Sequence, residues 1–502
     1  MSVNDDRRPV LVGVAQLVQR DAEPAQALSP LAMLERTARD AARDAGVGDA
    51  ALRALDTLAI VDVAGWHPRN GPRLLAERLG AAPRCEVVSA IGGEIPVRVV
   101  NELARAIGAG RSRIALVAGS NHVRTLRRAQ NARVKLEWTT GGEGAPERIG
   151  ANQRGSSSGE AAYGLSMPIH IYPVFENALR ARRGLPLAAH RRRIGALMSR
   201  FTEVAAKNPF AWFPIARSAD EIATPTASNR MIAYPYTKYM NAVIETDQGA
   251  AALLMSAAAA RELGVPEDRW VHWWGGAHGY ETVWYPSERP DFARCPALRD
   301  TVRATLAEAA TSLDEIAAFD FYSCFPVAVE MACEMLGLDE DDPRGLTVTG
   351  GLPYAGGPGN DYTLHSIAAM VERLRAAPGA RGLVTGNGWY LTKHAALVLA
   401  SAPREGGAVG QAAPVPEPSL PDDTASTEPA EGPATLETYT VVFDREGAPA
   451  RGIAIGRTEA GRRFVANTPD DQAFLEAFVA VENVGRKGRV RAVDGHNRFE
   501  PS

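Results

Sequence analysis

The sequence predicts an α/β fold built from two halves with the same order of elements. Short apolar segments bounded by turn residues alternate with longer segments in which apolar residues recur at helical spacing. The first strand is expected at 9–16 (PVLVGVAQ), and the first helix at 30–45, where Leu31, Leu34 and Ala38 share one face. Because strands that alternate with helices form sheets covered on both faces, we expect a largely parallel sheet.

The remaining elements repeat this alternation in both halves of the chain. In the first half we expect two more strands, a helix and a strand, at 57–62, 86–89, 96–107 and 113–120. In the second half we expect a helix, a strand, two helices and two strands, at 296–311, 317–322, 326–336, 363–376, 382–385 and 395–399. The repeated order predicts an internal duplication of the topology.

Changes in composition divide the chain into four parts. The two halves are expected at 1–257 and 258–402, and an insertion of irregular loops and basic helices is expected within the first, at about 122–246. Residues 403–434 are rich in Pro, Ala, Glu, Gly and Ser, which predicts a flexible linker. The last part, 435–502, is a small β-rich unit, with strands expected at 436–443, 450–455, 462–465 and 487–493 and a helix at 470–478.

Composition and charge narrow the class of protein. The 502 residues, 45% of them hydrophobic, suffice for two large packed layers and a further domain. A net charge of −4 gives no general attraction to nucleic acid or to anionic membranes. The four cysteines lack paired spacing, which argues against a disulfide framework and a zinc site. Without a signal peptide or a run of about 20 apolar residues, the expectation is a soluble cytoplasmic protein.

Four segments carry the functional signal: 245–254 (ETDQGAAALL), 321–326 (FYSCFP), 350–359 (GGLPYAGGPG) and 383–388 (LVTGNG). Together they resemble the thiolase superfamily, and in particular the type 1 thiolase-like proteins related to sterol-carrier-protein thiolases. The resemblance covers about 9–402 and implies a duplicated five-layer α-β-α-β-α fold with an insertion domain. The C-terminal unit resembles the additional, OB-like domain of type 1 thiolase-like proteins.

The resemblance implies a site for an acyl-CoA thioester where four loops meet. Thiolases use a nucleophilic Cys, a loop with Asn or His, a Gly-His-Pro loop and a late Cys. Here Gly93 or Glu94 stands in place of the nucleophile, Gly357 in place of the His, and Thr385 or Gly386 in place of the late Cys. Since a covalent thioester needs an activated thiolate, the implied function is acyl-CoA binding by an acetyl-CoA acetyltransferase relative that lacks the standard catalytic residues.

Four side chains are candidates for substitute chemistry. Tyr322, ahead of the predicted helix 326–336, is either an acid or base or a packing residue over the helix start. Cys324 is a candidate nucleophile at a helix N-terminus, although this family branch carries a Cys there without using it so. His394 either replaces the lost His or is a structural residue. Glu94 is either a general base or a helix cap.

Backbone N–H groups of glycine-rich loops are candidates for holding the thioester oxygen. The candidate binding residues are five glycines and one tyrosine: Gly93, Gly356, Gly357, Gly386, Gly388 and Tyr362. The pair Tyr322 and Tyr362 resembles the tyrosines of thiolase-fold retro-aldolases, so a lyase acting on an acyl-CoA is an alternative. A non-catalytic thioester-binding protein is another. No metal or cofactor is expected beyond the CoA thioester as substrate or ligand.

Basic residues of the insertion are candidate partners for the CoA phosphates, or else belong to solvated helix faces. They lie at 124–128, 180–183 and 190–193. Nucleic-acid binding by the OB-like unit is disfavoured because so small a core needs its aromatic side chains. By analogy, this unit covers the CoA entrance or the surface where ordinary thiolases dimerise, so a monomer and a homodimer both stay open.

Overall fold

The computed structural model describes residues 6–404, 415–419 and 424–502, so much of the predicted linker lies outside the described residues. The strands are β1 (Pro9–Val18), β2 (Thr57–Ile60), β3 (Cys85–Ser89), β4 (Ile114–His122), β5 (Glu147–Ile149), β6 (Met231–Ala233), β7 (Tyr236–Thr237), β8 (Asp247–Ser256), β9 (Val271–Tyr280), β10 (Ala318–Asp320), β11 (Arg381–Gly388), β12 (Lys393–Ala400), β13 (Gly432–Phe443), β14 (Pro449–Thr458), β15 (Arg463–Asn467), β16 (Lys487–Val493) and β17 (His496–Pro501).

The α-helices lie between these strands in both halves, in the insertion and in the C-terminal unit. They are α1 (Pro30–Asp44), α2 (Asp49–Arg53), α3 (Gly71–Leu79), α4 (Ile95–Gly108), α5 (Val123–Ala132), α6 (Ser158–Ala162), α7 (Pro168–Arg182), α8 (Leu187–Ala205), α9 (Ala219–Ala223), α10 (Ala257–Glu262), α11 (Pro296–Ala309), α12 (Pro326–Leu336), α13 (Tyr362–Arg375) and α14 (Gln472–Ala480). Among the described helices, none combines the length and apolar character needed to cross a membrane.

The two halves repeat one strand order. The large sheet runs β10-β11-β12-β9-β1-β8-β4-β2-β3-β5. In the first half β2 pairs parallel with β4, β4 antiparallel with β8, and β8 antiparallel with β1. In the second half β10, β11, β12 and β9 pair in the same sequence of directions. This repetition confirms the predicted internal duplication, and the short β1–β9 ladder joins the halves.

The prediction of a largely parallel sheet is wrong. In each half the last strand, β8 or β12, runs antiparallel to both of its neighbours. The sequence could not show this because burial on both faces gives the same apolar run in either direction. Only four residues, 389–392, separate β11 from β12, and a connection that short permits only an antiparallel pair.

Both faces of the sheet are buried, which produces the layers of the fold. On β8, Ala250, Ala252 and Leu254 pack into the inner core, whereas Ala251 and Leu253 pack into the core on the opposite face. Helices α4 and α13 contact each other and fill the inner core between the halves, and α1 and α11 cover the outer faces. The resulting α-β-α-β-α arrangement confirms the predicted five-layer fold.

The C-terminal unit is a small closed barrel attached to the insertion. Strands β13, β14, β15, β17 and β16 pair in a ring, and β13 also pairs with β6 of the insertion. Asn177 of α7 donates to the Tyr439 carbonyl at 2.9 Å, and Arg180 of the same helix binds Glu482 through two bonds of 2.5 and 2.7 Å. Helix α7 therefore links the barrel to the body of the protein.

The described part of the predicted linker contacts the body closely. Glu417 forms an ion pair with Arg98, one turn into α4, with 2.5 Å between Oε1 and Nη1. The Pro418 carbonyl accepts a hydrogen bond from Gln153 at 2.7 Å. This short stretch therefore lies beside the first turn of the inner helix α4.

Candidate active site

Four loops converge at the N-terminus of α4. They are the turn 92–94 before α4, the segment 321–325 between β10 and α12, the glycine-rich loop 350–361 before α13, and the end of β11. Pro96 occupies the first turn of α4, where its missing N–H costs no hydrogen bond. The fold thus brings together segments that lie up to 300 residues apart in the sequence.

A buried ion pair occupies the centre of this site. The Glu94 carboxylate Oε1 lies 2.8 Å from Lys393 Nζ, and each of the two residues is only 3% exposed. Lys393 also donates to the Ile91 carbonyl at 2.5 Å. Glu94 stands at the N-cap of α4, but its side chain makes no capping hydrogen bond, so the capping interpretation is wrong.

The glycines around the ion pair make room for the Glu94 side chain. A Cβ atom at Gly388 would lie 1.8 Å from Glu94 Oε2, and one at Gly386 would lie 2.6 Å from the Glu94 Cα. Gly92 approaches the carboxylate from the other side. These positions therefore hold glycine because a carboxylate is inserted between the strand end and the helix start.

Tyr322 covers the ion pair at Gly93. A Cβ atom at Gly93 would lie 2.1 Å from the Tyr322 hydroxyl, so the phenol rests on this glycine. Burial raises the pKa of Tyr322 well above its usual value, and neighbouring Cys324, Tyr362 and Glu94 add to the effect. No hydrogen bond to this hydroxyl occurs among the described residues. Tyr322 is therefore a neutral hydroxyl and not a phenolate base.

Tyr362 lies beneath Tyr322 and supports it. The two rings meet edge to face at 5.5 Å between centroids. The Tyr362 hydroxyl lies 2.7 Å from Thr349 Oγ1, and the residue is completely buried. Its pKa is raised by burial. The structure thus brings the two tyrosines together, but the second hydroxyl is bound to Thr349 within the core.

Cys324 lies beside the site as a protonated thiol. It is 6% exposed, and burial raises its pKa to about 12, although the Tyr172 hydroxyl and local N–H groups oppose that shift. Asn387 donates from Nδ2 to the sulfur at 4.0 Å and to the Tyr172 hydroxyl at 2.9 Å. Burial therefore outweighs the favourable helix N-terminus, and Cys324 does not form a thiolate at neutral pH.

His394 lies on the opposite face of β12 from Lys393 and is not part of the cluster. Its Nε2 lies 3.2 Å from Cys295 Sγ and 3.1 Å from the Leu391 carbonyl oxygen. Burial lowers its pKa to about 4, so the ring is neutral. Successive residues of a strand point to opposite faces, and only one of this pair reaches the site.

The glycine-rich loop already uses its polar groups. The Gly357 N–H donates to the Val243 carbonyl at 2.8 Å, and a Cβ atom at Gly356 would lie 2.1 Å from Gln248 Oε1. Further along, Asn360 accepts from the Gly92 N–H at 3.0 Å. The loop is thereby fixed to the turn that carries Glu94. The residue after Val243, Ile244, has an exposed side chain.

The basic residues of the insertion mostly bind acidic partners. Arg128 pairs with Glu23, Arg182 with Asp291, and Arg193 with Glu340, all at 2.8 to 2.9 Å. Arg124 stacks on Trp212, and Arg191 stacks on Tyr234. These contacts fit the interpretation of charged helix faces better than that of phosphate ligands.

The comparisons with known proteins agree with this architecture. A crystal structure of a monomeric SCP2-thiolase-like protein type 1 from Mycobacterium smegmatis matches 99% of this chain and 100% of its own, at 35% identity and a TM-score of 0.82. The chain belongs to the thiolase-like protein type 1 family. A family model described as the additional C-terminal domain of these proteins matches residues 418–496. A search of the curated proteins found no match.

More distant structures share the fold of this thiolase-like protein. The Ltp2-ChsH2(DUF35) aldolase matches 79% of this chain and 98% of its own, at 17% identity and a TM-score of 0.59. An acetyl-CoA acetyltransferase from Syntrophomonas wolfei matches 79% and 99%, at 16% identity and a TM-score of 0.55. At these identities the likeness shows the fold alone.

Two residues that define this thiolase-like site were not among the candidates predicted from the sequence. Lys393 forms the ion pair with Glu94, and Asn387 binds both the Cys324 sulfur and the Tyr172 hydroxyl. The sequence offers one signal for Lys393, a lysine close before the apolar run AALVLA, and all eight residues of its strand are buried in the structure. A lysine is almost never fully buried without a partner.

The first prediction concerns the ion pair. In Lys393→Met the Glu94 carboxylate stays buried without its cation, so we expect the free energy of unfolding to fall by about 3–5 kcal/mol. In the double variant Glu94→Gln/Lys393→Met no charge is buried, and most of that loss should be recovered. Urea titrations of the four chains measure both effects. Equal losses in the single and double variants would contradict a coupled pair.

The second prediction concerns the space that Gly388 leaves for Glu94. Gly388→Ala should destabilise the protein by about 1–3 kcal/mol, since the new methyl group overlaps Glu94 Oε2. In a Glu94→Ala background only the 2.8 Å approach to Lys393 Cε remains, in a flexible side chain that can shift, so the same substitution should cost much less. Thermal unfolding of the four chains in this cycle provides the comparison. A cost independent of Glu94 would show that another neighbour requires the glycine.

Proposed function

We propose that this protein binds a CoA thioester at the four-loop site and forms no covalent acyl-enzyme there. The observation that carries the proposal is the Glu94–Lys393 ion pair at the N-terminus of α4, where the resemblance to thiolases implies a nucleophilic Cys. A carboxylate hydrogen-bonded to an ammonium group is suited to proton transfer rather than to thioester formation.

The cysteines support a mechanism without a thiolate. Burial raises the pKa of Cys324 to about 12, and burial also raises the pKa of Cys85, Cys295 and Cys333. Cys85 is the first residue of β3, the strand that leads into the turn carrying Glu94. Since the thiolate is the reactive form, none of these side chains is prepared to accept an acyl group.

We infer that the ligand enters beside the glycine-rich loop. Val243 bonds to this loop through its backbone, and the next residue, Ile244, is 56% exposed. We infer that the acyl end of the ligand points towards Tyr322 and Glu94, where the four loops converge. The Mycobacterium smegmatis relative is described as monomeric, which supports a monomer with the complete site in one chain.

The second candidate function is a lyase that cleaves a β-hydroxyacyl-CoA. Tyr322 favours it, because its neutral hydroxyl lies beside Gly93 and Glu94, where an enolate would need a proton. A base removes the proton of the β-hydroxyl, the Cα–Cβ bond breaks to give a carbonyl compound and an enolate, and Tyr322 protonates that enolate. The aldolase with this fold supports the reaction class by analogy.

The third prediction tests thioester binding. Calorimetric titration should show binding of both CoA and acetoacetyl-CoA, and mass spectrometry of the saturated protein should show no acyl adduct. Ile244→Asp places a negative charge at the proposed entrance, so the affinity for the polyanionic ligand should fall at least about tenfold. Val493→Asp is the matched control on the barrel, where Val493 is 45% exposed, and it should leave affinity unchanged.

Each result of this experiment has a definite meaning. An adduct on Cys324 would contradict the proposal and restore covalent catalysis. Failure of both ligands to bind the folded protein would also contradict it. An equal loss in the Ile244 and Val493 variants would show that the entrance lies elsewhere.

The fourth prediction tests the lyase. Tyr322→Phe should lower the rate of cleavage of a β-hydroxyacyl-CoA by about 100-fold or more, as expected when a general acid is removed, and should leave CoA affinity nearly unchanged. Tyr362→Phe, which removes buried hydroxyl contacts such as that with Thr349, is the matched control and should affect the rate far less. Cleavage that survives in Tyr322→Phe, or no cleavage by the unmodified protein, would refute the lyase.

A further inference from the structure

Three buried side chains outside the candidate active site direct ligand atoms toward one another. They are Glu176 on α7, His190 on α8 and Glu330 on α12, at most 1% exposed. One carboxylate oxygen from each glutamate and one ring nitrogen of His190 all lie within 4.8 Å of one another. An ion held at about 2.0–2.2 Å from each ligand needs them within about 4.4 Å, so small side-chain shifts suffice.

Four polar atoms of this trio have no partner with hydrogen-bond geometry among the described residues, although the two carboxylates lie close enough to share a proton. Glu176 Oε1, Glu330 Oε2 and both ring nitrogens of His190 have no hydrogen-bond partner within the part of the chain that the structure describes. His190 Nε2 lies 2.7 Å from Glu176 Oε1, yet the contact lacks hydrogen-bond geometry. Buried polar atoms are normally paired. An ion bound between these atoms would supply the missing partner.

The other oxygen of each carboxylate is held by a neighbour. Glu176 Oε2 accepts from the Tyr236 hydroxyl at 2.6 Å, and Glu330 Oε1 accepts from Arg183 Nη1 at 2.7 Å. Such outer contacts fix the orientation of metal-binding carboxylates and leave the second oxygen for the ion.

We propose that Glu176, His190 and Glu330 form a binding site for one divalent transition-metal ion of the zinc class. Imidazole nitrogen and carboxylate oxygen are ligands that such ions accept, whereas Mg²⁺ and Ca²⁺ prefer oxygen alone. The three helices that supply the ligands are separate in sequence, so the ion would join them.

The local charge fits a divalent ion. Around Arg183 and Arg193 lie four carboxylates: Glu176, Glu330, Glu334 and Glu340. The two guanidinium groups balance two of these four negative charges, and a divalent ion would balance the other two.

A route to the site exists at the surface. Arg183, Arg193 and Glu340 line a cavity of about 310 Å³. Arg183 also contacts Glu330, so the cavity lies one side chain away from a buried ligand at this point.

A second buried trio shows why ligand types alone do not define such a site. Glu281, Cys295 and His394 also lie within 4.8 Å of one another. There, however, His394 Nε2 bonds to the Leu391 carbonyl, and Glu281 Oε1 accepts from the Ala297 N–H at 3.0 Å. Because these polar atoms are satisfied by the protein, this trio needs no ion.

The fifth prediction tests the metal site in the full-length chain. After incubation with Zn²⁺ and removal of free ion, elemental analysis should find about one zinc per chain. His190→Gln and Glu330→Gln should weaken Zn²⁺ binding at least about 100-fold, more than loss of an outer contact would. Glu334→Gln is the matched control, because Glu334 pairs with Arg183 without facing the ligand point, and it should retain zinc.

Two measurements on the unmodified chain keep the test valid if the variants fail to fold. Co²⁺ should give visible absorption bands that Zn²⁺ abolishes and Mg²⁺ does not, and calorimetry in buffers of different ionisation enthalpy should show proton release on Zn²⁺ binding. A folded chain that gives no Co²⁺ bands would overturn the proposal. So would zinc retained equally by His190→Gln and the unmodified chain.

Discussion

The Glu94–Lys393 ion pair determines how the four loops of this thiolase-like protein are arranged. Two charges that are each 3% exposed are costly to remove from water, and the cost is offset only if each keeps a close partner. The ammonium must therefore stay at 2.8 Å from the carboxylate and near the Ile91 carbonyl. That requirement fixes the end of β11 against the start of α4, and it accounts for glycine at Gly386 and Gly388.

The duplicated topology explains why such distant residues meet. The large sheet contains the strands of both halves. The inner helices α4 and α13 pack against it and contact each other. Lys393 comes from the last strand of the second half, and Glu94 from the inner helix of the first half. The ion pair thus crosses between the halves, and the site exists only when both are folded together.

The sequence predicted element types well because apolar periodicity reports burial directly. Helix α12 was predicted at its observed bounds, and the duplication followed from the repeated order. Strand direction was not predictable, since β8 and β12 have both faces buried. In the site, the residues that were found lay in recognisable motifs, whereas Lys393 lay in a strand without one. Its role depends on side-chain partners that meet only in three dimensions, whereas its position on the opposite face from His394 follows from the alternation of side chains along a strand.

The buried polar groups of this fold are of two kinds: those paired within the protein and those with unpaired atoms. Asp320 accepts hydrogen bonds from Thr347, Thr349 and Ser366, so its carboxylate is fully paired within the protein. The Glu176–His190–Glu330 cluster is equally buried but has unpaired atoms facing one point. Unpaired buried groups cost about 1–3 kcal/mol each, and a protein retains them where another species completes the contacts. Because α7 carries Tyr172 and α12 follows Cys324, an ion there would also fix two of the elements that surround the four-loop site.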